Sequence, residues 1–200
     1  LQERSEKLKA LASNLDIAES ATNTYINLAE KTRELNLILE KERTLMDKAA
    51  DEYINSCNKF LEHQNEQMLS EIRQGATSQE RLNKITLINN VIDVGNEVRV
   101  GNFKSQAKRD PQIFEEALAK FPRVHQYVTE IRQITYLEED LRYLDKIDEG
   151  ANLYEEAMDI FIEKWQEREE LAKSREEAGR ELIAACATTS DARPPRDGCT

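Results

Sequence analysis

The first 74 residues decide the fold class, and they read LQERSEKLKALASNLDIAESATNTYINLAEKTRELNLILEKERTLMDKAADEYINSCNKFLEHQNEQMLSEIRQ. This stretch has no Gly and no Pro and is dense in Leu, Ala, Glu and Lys, which favour helices. Its apolar residues recur at helical spacing, as at Leu8, Leu11 and Leu15. It therefore predicts one or two very long helices, with a break near Ser20–Thr24, where Ser, Thr and Asn form helices poorly.

Turn-forming residues are scarce along the whole chain, which has 6 Gly and 4 Pro in 200 residues. An average soluble chain carries about 12% of the two types together. β-Sandwiches and barrels need a turn every ~8 to 12 residues, so this composition excludes most β architectures. A hydrophobic fraction of 39% supplies a core, and 34% charged residues suit helices with one solvated face. We predict an all-α fold of elongated shape.

The few helix-breaking residues predict where the middle of the chain is punctuated. Gly75 can adopt the left-handed conformation that ends a helix, and Ser78 can cap the next one. The following helix is predicted over 79–108. Asp110 and Pro111 end it, because the residue before a proline is pushed out of the helical region.

The second half of the chain predicts three further helices. A short helix follows Pro111 as far as residue 121, a longer helix covers 122–147, and Gly150 separates it from a last helix over 151–187. The sequence of residues 188–200 differs from the rest, since most of it lacks the helical spacing of apolar residues. We therefore predict a domain of residues 1–187 and a disordered or non-native tail.

Charge and composition also exclude several classes of function. The formal net charge is -11, from 28 Lys and Arg against 39 Asp and Glu, so the surface repels nucleic acid. The three cysteines have no paired spacing, and His63 and His125 lie far apart in charged surroundings, where we expect them to be solvated. With no metal, phosphate-binding or catalytic motif present, we expect neither an enzyme nor a cofactor.

An arginine interrupts an apolar seam in the helix predicted over 79–108. Taken every seven residues, the seam reads Ile85, Ile92, Arg99 and Gln106. Gly95 and Gly101 flank Arg99, and Asn96 and Asn102 add amide groups nearby. A glycine inside a helix costs roughly 1 kcal/mol relative to alanine, which is tolerated where a ligand or another backbone approaches closely. The pattern predicts a cavity beside Arg99.

The last predicted helix repeats this irregularity. Its apolar seam is Tyr154, Met158, Phe161 and Trp165, and the same spacing continues through Arg168, Ala172, Arg175 and Gly179. Arginines that meet in a bundle core need an anion between them, and a carboxylate matches the planar guanidinium fork. Two other interpretations remain open for Arg99, which could pair with an acidic residue or reach solvent along its stem.

Residues 88–121 carry a motif in which Gly95-Asn96, Arg99, Asn102-Phe103 and Asp110-Pro111 stand together. This motif resembles the helical bimodular sensor domains of bacterial chemoreceptors and some sensor histidine kinases. The stretch 53–75 looks like the preceding helix of that family, and 154–186, with Trp165, looks like its final helix. The resemblance covers roughly residues 20–187.

The resemblance implies two stacked four-helix bundles that share long helices. It also implies a dimeric receptor domain outside the cytoplasmic membrane, between two membrane spans, that binds small organic acids such as di- and tricarboxylates or acetate. Arg99 matches the ligand arginine, Asn102 lies one turn further on, and Arg168 or Arg175 matches an arginine of the last helix. Asn96 and Trp165 complete the candidate binding residues.

One departure from the family concerns its first helix, where an arginine pair follows the first membrane span. No such pair stands next to an apolar span before Tyr25, so we expect the chain to be an N-terminally incomplete domain. The alternative class is a structural or adaptor protein whose amphipathic groove binds partner helices. Unbroken apolar seams favour the adaptor, whereas Arg99, Arg168 and Asn102 within the seams favour the sensor.

Overall fold

The computed structural model describes residues 2–76 and 78–191, and within these ranges the secondary structure is helical, without strands. Its helices are α1 (Gln2–Arg73), α2 (Gln79–Lys108), α3 (Pro111–Leu118), α4 (Phe121–Gln133) and α5 (Glu138–Asp191). The predicted all-α fold is confirmed. None of the helices in the described ranges combines the length and the apolar character that crossing a membrane requires.

The turn between α1 and α2 forms as predicted. Gly75 has a φ of 77°, which is the left-handed conformation that glycine adopts without strain. The Ser78 hydroxyl accepts a hydrogen bond from the backbone N–H of Arg81 at 3.1 Å and caps the N-terminus of α2. The predicted bounds of this helix, 79–108, are those observed.

The turn between α2 and α3 is built in the same way, from a residue in the left-handed conformation followed by an N-terminal cap. Arg109 ends α2 in the left-handed region, with a φ of 56°. The Asp110 carboxylate then accepts a hydrogen bond from the N–H of Gln112 at 3.1 Å, and Pro111 occupies the first position of α3.

The predicted break near Ser20–Thr24 is wrong, since α1 continues through it without interruption. The hydroxyl of Thr22 donates to the carbonyl of Ala18 at 2.7 Å, and that of Thr24 donates to the carbonyl of Ser20 at 3.0 Å. These polar side chains bond to the helix's own carbonyls one turn back and do not compete with its backbone ladder.

The predicted helix over 122–147 is also wrong, because α4 ends at Gln133 and α5 begins at Glu138. The N–H of Ile134 donates to the carbonyl of Ile131, which tightens the last turn of α4. The first turn of α5 carries Glu138, Glu139 and Asp140, and these negative charges favour a helix N-terminus.

The predicted punctuation at Gly150 is wrong, since this residue lies inside α5. A Cβ added there would lie 3.1 Å from both the backbone N and the Cα of Tyr53, so the glycine allows α1 and α5 to approach closely. The helix also continues beyond the predicted boundary at 187 as far as Asp191. The rest of the predicted tail, 192–200, lies outside the described residues.

The chain divides into two compact units. Unit 1 comprises Leu1–Ile38 and Trp165–Thr200, and unit 2 comprises Leu39–Lys164. The described part of unit 1 consists of two helical segments, which belong to α1 and α5. The Thr189 hydroxyl donates to the carbonyl of Asn14 at 3.2 Å, and Gly179 lies against the ring of Tyr25, so these segments run antiparallel. The stacking of two four-helix bundles and the elongated shape stay predictions.

Unit 2 has a core to which α1, α2, α4 and α5 all contribute. The buried side chains of this core are Tyr53, Cys57, Phe60, Ile88, Val91, Val94, Val124, Val128, Ile131, Leu144, Ile147 and Ala151. Burial of each large apolar side chain stabilises the fold by about 1.5 to 3 kcal/mol. The Tyr53 hydroxyl donates to the carbonyl of Val91 at 2.6 Å, so the one polar atom of its ring is satisfied within this core.

Candidate functional site

The buried face of α2 differs from the predicted seam. Its buried residues are Lys84, Ile88, Val91, Val94, Gly95, Val98, Asn102 and Ser105. The seam through Ile85 and Ile92 lies at the edge of this face, where both side chains are half-buried. The valines at alternating spacings of three and four define the centre of the apolar stripe, and a strict seven-residue reading from Ile85 missed it.

Arg99 therefore lies outside the core, and its predicted inward orientation is wrong. Its side chain is 44% exposed, and its Nη2 lies 3.8 Å from Oδ1 of Asp51. The guanidinium carbon stands 5.9 Å from the centre of the Phe103 ring. An exposed ion pair of this kind contributes about 0 to 1 kcal/mol. The alternative in which Arg99 pairs with an acidic residue describes this geometry.

The two glycines that flank Arg99 are explained by helix packing. A Cβ added at Gly95 would overlap the ring of Tyr53, and one at Gly101 would lie 2.6 Å from Cβ of Ala117. Each glycine thus lets a neighbouring helix pack closely against α2. This contact accounts for both residues without the cavity that the sequence predicted beside Arg99.

Asn102 is the one candidate on α2 that is buried, and its amide is hydrogen-bonded to other side chains of unit 2. Its Nδ2 donates to the hydroxyl of Tyr154 at 3.3 Å and to the sulfur of Met46 at 3.7 Å. Its Oδ1 accepts from Gln106 at 2.7 Å, and Oε1 of Gln106 accepts from Arg43 at 2.9 Å. Burial also raises the pKa of Tyr154. Asn102 therefore belongs to a polar network inside unit 2.

Asn96 is exposed on the opposite side of α2, where it lines an open groove of about 580 Å³ against α3. Lys120 crosses part of this groove, because its Nζ lies 2.6 Å from Oε2 of Glu97. This ion pair lowers the pKa of Glu97. The groove is wide and open, so it offers Asn96 no enclosed pocket.

The remaining three candidates belong to unit 1. Trp165 is buried, with 4% of its surface exposed. The side chain of Arg168 is 29% exposed, and its Nη2 lies 2.9 Å from Oε1 of Glu169. Arg175 is half-buried. Arg99, Asn96 and Asn102 belong to unit 2, so the six predicted residues fall in different units.

A cavity of about 260 Å³ lies between α1 and α5 in unit 2. Its walls combine apolar and charged side chains, namely Lys41, Glu42, Leu45, Lys48, Ala49, Glu52, Leu153, Glu156, Ala157 and Ile160. Pockets for drug-sized ligands span about 300 to 1,000 Å³, so this cavity has the size for a smaller molecule.

Glu42 distinguishes this cavity from an ordinary surface cleft. Its side chain is 3% exposed, and its Oε1 lies 3.5 Å from Nζ of Lys41, whose own side chain is 72% exposed. Its Oε2 is buried and has no hydrogen-bond partner among the described residues. A buried carboxylate oxygen without a partner is costly, and such groups are rare in folded proteins.

Sequence reasoning missed Glu42, although a signal was present. The buried face of α1 in this region runs through Leu35, Leu39, Met46, Ala49 and Tyr53. Glu42 occupies the place in this stripe where an apolar residue belongs, three residues after Leu39 and four before Met46. A carboxylate inside an otherwise apolar stripe is the signal that marks this position.

A second polar cluster lies where α1 ends and α2 begins. The guanidinium of Arg81 donates to Oε1 of Glu71 at 2.7 and 3.1 Å and to Oε1 of Gln64 at 2.7 Å. This bonding to Arg81 lowers the pKa of Glu71. The cluster ties the two ends of the turn together and borders no cavity described above.

The two histidines differ from the solvated residues that the sequence predicted. The ring of His63 is 16% exposed, and its Nδ1 lies 2.6 Å from Oδ1 of Asp140, which is almost fully buried. His125 is 31% exposed and lies 3.1 Å from Oε2 of Glu155. Both rings are held by carboxylates on α5. Within residues 2–76 and 78–191, no group of three or more His, Cys, Asp or Glu is arranged to hold a metal ion.

Comparison of the chain with models of known protein families, with curated proteins and with solved structures gives no match. The resemblance to helical bimodular sensor domains therefore stays an interpretation of the residues quoted for it. The site that the structure adds to that interpretation is the cavity between α1 and α5.

Proposed function

We propose that the chain is the extracytoplasmic sensor domain of a transmembrane receptor of the chemoreceptor type, on the periplasmic side of the inner membrane. The domain binds a small organic molecule and transmits a helix displacement. The observation that carries this proposal is the cavity between α1 and α5, with the buried and unpaired oxygen of Glu42 in its lining. The all-α fold and the motif of residues 88–121 support it.

The mechanism that we propose uses the two longest helices of the described chain, and no step of it is catalytic. A ligand between residues 41–52 of α1 and 153–160 of α5 contacts both helices within unit 2. Such a ligand shifts the position of one helix against the other only as far as its affinity differs between the two arrangements. Displacements of about 1 to 2 Å are usual in transitions of this kind.

The resemblance proposes small organic acids as ligands, with Arg99, Asn102, Arg168 or Arg175 as binding residues. If Arg99 binds such an acid, Arg99→Ala will abolish the calorimetric heat of succinate and citrate binding. The melting temperature without ligand will stay nearly unchanged, because the ion pair of Arg99 with Asp51 is exposed. Unchanged heats in Arg99→Ala would contradict its role.

A thermal-shift panel of small organic acids and small organic amines tests the sensor proposal. A ligand at 100 times its dissociation constant stabilises the native state by about 2.7 kcal/mol. For a chain of this size, that corresponds to a rise in melting temperature of roughly 5 to 10 °C. We expect at least one class of compound to produce such a rise. A panel in which neither class shifts the melting temperature would contradict the proposal.

A second candidate function is the helical adaptor, and one observation in unit 1 favours it. Several large apolar side chains there are more than half exposed, namely Leu8, Leu15, Ile17, Leu37 and Ile183. An amphipathic partner helix could cover such residues. In addition, Arg99 does not interrupt the buried face of α2. The adaptor predicts no response to the small-molecule panel, so the same experiment separates the two functions.

A further inference from the structure

We propose that the cavity between α1 and α5 binds a small organic cation, an ammonium group on a short apolar body, with Glu42 as its counter-ion. This inference rests on the proposed function, because it names the ligand class of the same site. It departs from the organic acids that the resemblance implies, and the charges that line the cavity are the reason.

Glu42 supplies the recognition element. Its side chain is 3% exposed, and its Oε2 has no hydrogen-bond partner in the part of the chain that the structure describes. An ammonium ligand would donate a charge-assisted hydrogen bond to this oxygen and neutralise the buried carboxylate. Lys41 lies 3.5 Å from the other oxygen and its side chain is 72% exposed, so Oε2 is left without a partner.

The other charged groups of the cavity lining leave an excess of negative charge. Three carboxylates, those of Glu42, Glu52 and Glu156, face two ammonium groups, those of Lys41 and Lys48. Lys48 is already close to one of these carboxylates, since its Nζ lies 3.8 Å from Oε1 of Glu52. A bound carboxylate would be repelled by Glu42, whose side chain is 3% exposed, so that water screens its charge only weakly.

The rest of the lining selects for a short apolar body. Five apolar side chains complete the walls, namely Leu45, Ala49, Leu153, Ala157 and Ile160. A volume of about 260 Å³ holds a molecule with a few carbon atoms and excludes a drug-sized one. The site therefore combines an anchor for one positive charge with a small hydrophobic compartment.

Three probes with the same four-carbon chain test the ligand class by calorimetric titration of the full chain. They are n-butylammonium, n-butyrate and n-butanol, which carry a positive, a negative and an uncharged head group. We expect n-butylammonium to bind at least tenfold more tightly than the other two. Equal or tighter binding of n-butyrate or n-butanol would overturn the proposal, and so would the absence of heat with all three.

Two substitutions locate the binding site. Glu42→Gln keeps the shape of the side chain and removes its charge, so it should weaken n-butylammonium binding at least tenfold, or about 1.4 kcal/mol. Glu40→Gln is the matched control, because this glutamate lies on the same helix with a side chain that is 72% exposed and does not line the cavity. We expect it to change the affinity less than about threefold. Full affinity in Glu42→Gln would overturn the assignment.

A second variant guards against misfolding at a buried position. Leu153 lines the cavity but is 45% exposed, so Leu153→Lys should not disturb the fold. Its ammonium competes with the ligand for Glu42, and n-butylammonium binding should weaken at least tenfold. Circular dichroism checks that both variants stay helical. Unchanged binding in Leu153→Lys would place the ligand elsewhere and overturn the proposal.

Failure of this inference is distinguishable from failure of the proposed function. If organic acids raise the melting temperature and n-butylammonium does not bind, the sensor function stands and the cation site falls. If neither class binds, both fall. If n-butylammonium binds and depends on Glu42, both are supported.

Discussion

Glu42 makes the ligand-free protein less stable than its packing allows, because one buried carboxylate oxygen has no partner among the described residues. An unsatisfied buried group costs about 1 to 3 kcal/mol, and a neutral amide of the same shape costs less than a charge. We therefore expect Glu42→Gln to raise the melting temperature without ligand by roughly 2 to 4 °C, or about 1 kcal/mol. Thermal unfolding followed by circular dichroism measures this. A fall of several degrees would mean that Glu42 is a structural residue.

Glu71 gives a pH-dependent prediction at the same scale. Its hydrogen bonds from Arg81 lower its pKa in the folded state, so the ion pair stabilises the protein above the ordinary glutamate pKa of about 4.3. This contribution is lost as the pH falls through the lowered pKa. Glu71→Gln should melt below the wild type at pH 7 and together with it in acid. A gap that persists at low pH would contradict the role of this pair.

The binding residues were harder to predict than the caps. Ser78 and Asp110 act through their own neighbouring backbone, so local sequence suffices to identify them. Whether Arg99 or Glu42 points inward depends on the phase of a helix against its partners. For α2, the prediction took Ile85 and Ile92 as the centre of the buried face, but both lie at its edge, so Arg99 was placed inward by mistake. Glu42 was not predicted.

Gly95 of α2 and Gly150 of α5 act at the scale of helix elements, since they set how closely these helices approach α1. A Cβ at Gly95 would overlap the Tyr53 ring, whereas one at Gly179 would lie 3.5 Å from the Tyr25 ring, an ordinary contact. Gly95→Ala should therefore destabilise the protein by about 1 to 3 kcal/mol. Gly179→Ala, the matched control, should stabilise it by up to about 1 kcal/mol through helix propensity.

Denaturant unfolding of the two glycine variants measures both effects. If Gly95→Ala were as stable as the wild type, the close packing of α2 on Tyr53 would be contradicted. The comparison also tests the earlier interpretation of Gly95, because a glycine that served only a ligand would tolerate alanine in the ligand-free protein.

Helix type was predictable along most of the described chain, and some helix boundaries were not. The ends of α2 are marked by Gly75, Ser78 and Pro111, whose backbone preferences are local. The break at 134–137 contains neither Gly nor Pro, so no local signal separates α4 from α5. Gly150 predicted a helix boundary where none exists. The contact with Tyr53 that explains this glycine is distant in sequence, so local sequence does not reveal it.

Self-association is the first prediction at the scale of the whole molecule. The exposed apolar side chains of unit 1 and the proposed receptor function both favour weak dimerisation along the helices. Sedimentation at high micromolar concentration should show a monomer–dimer equilibrium. A monomer alone over that range would contradict this prediction.

The central claim is that a ligand between α1 and α5 displaces one helix against the other. Spin labels at Asn55→Cys and Asn152→Cys, both exposed positions, report the distance between these helices in unit 2. Cys186 and Cys199 are replaced by Ser in this variant. Cys57 can stay, because it is fully buried and burial raises the pKa of its thiol to about 12, which keeps it protonated and unreactive.

Pulsed electron resonance on this labelled chain, with and without saturating n-butylammonium, tests the claim most directly. We predict that the distance changes by about 1 to 2 Å when the ligand binds, and that Glu42→Gln abolishes the change. An unchanged distance distribution in a sample whose calorimetry shows bound n-butylammonium would contradict the account.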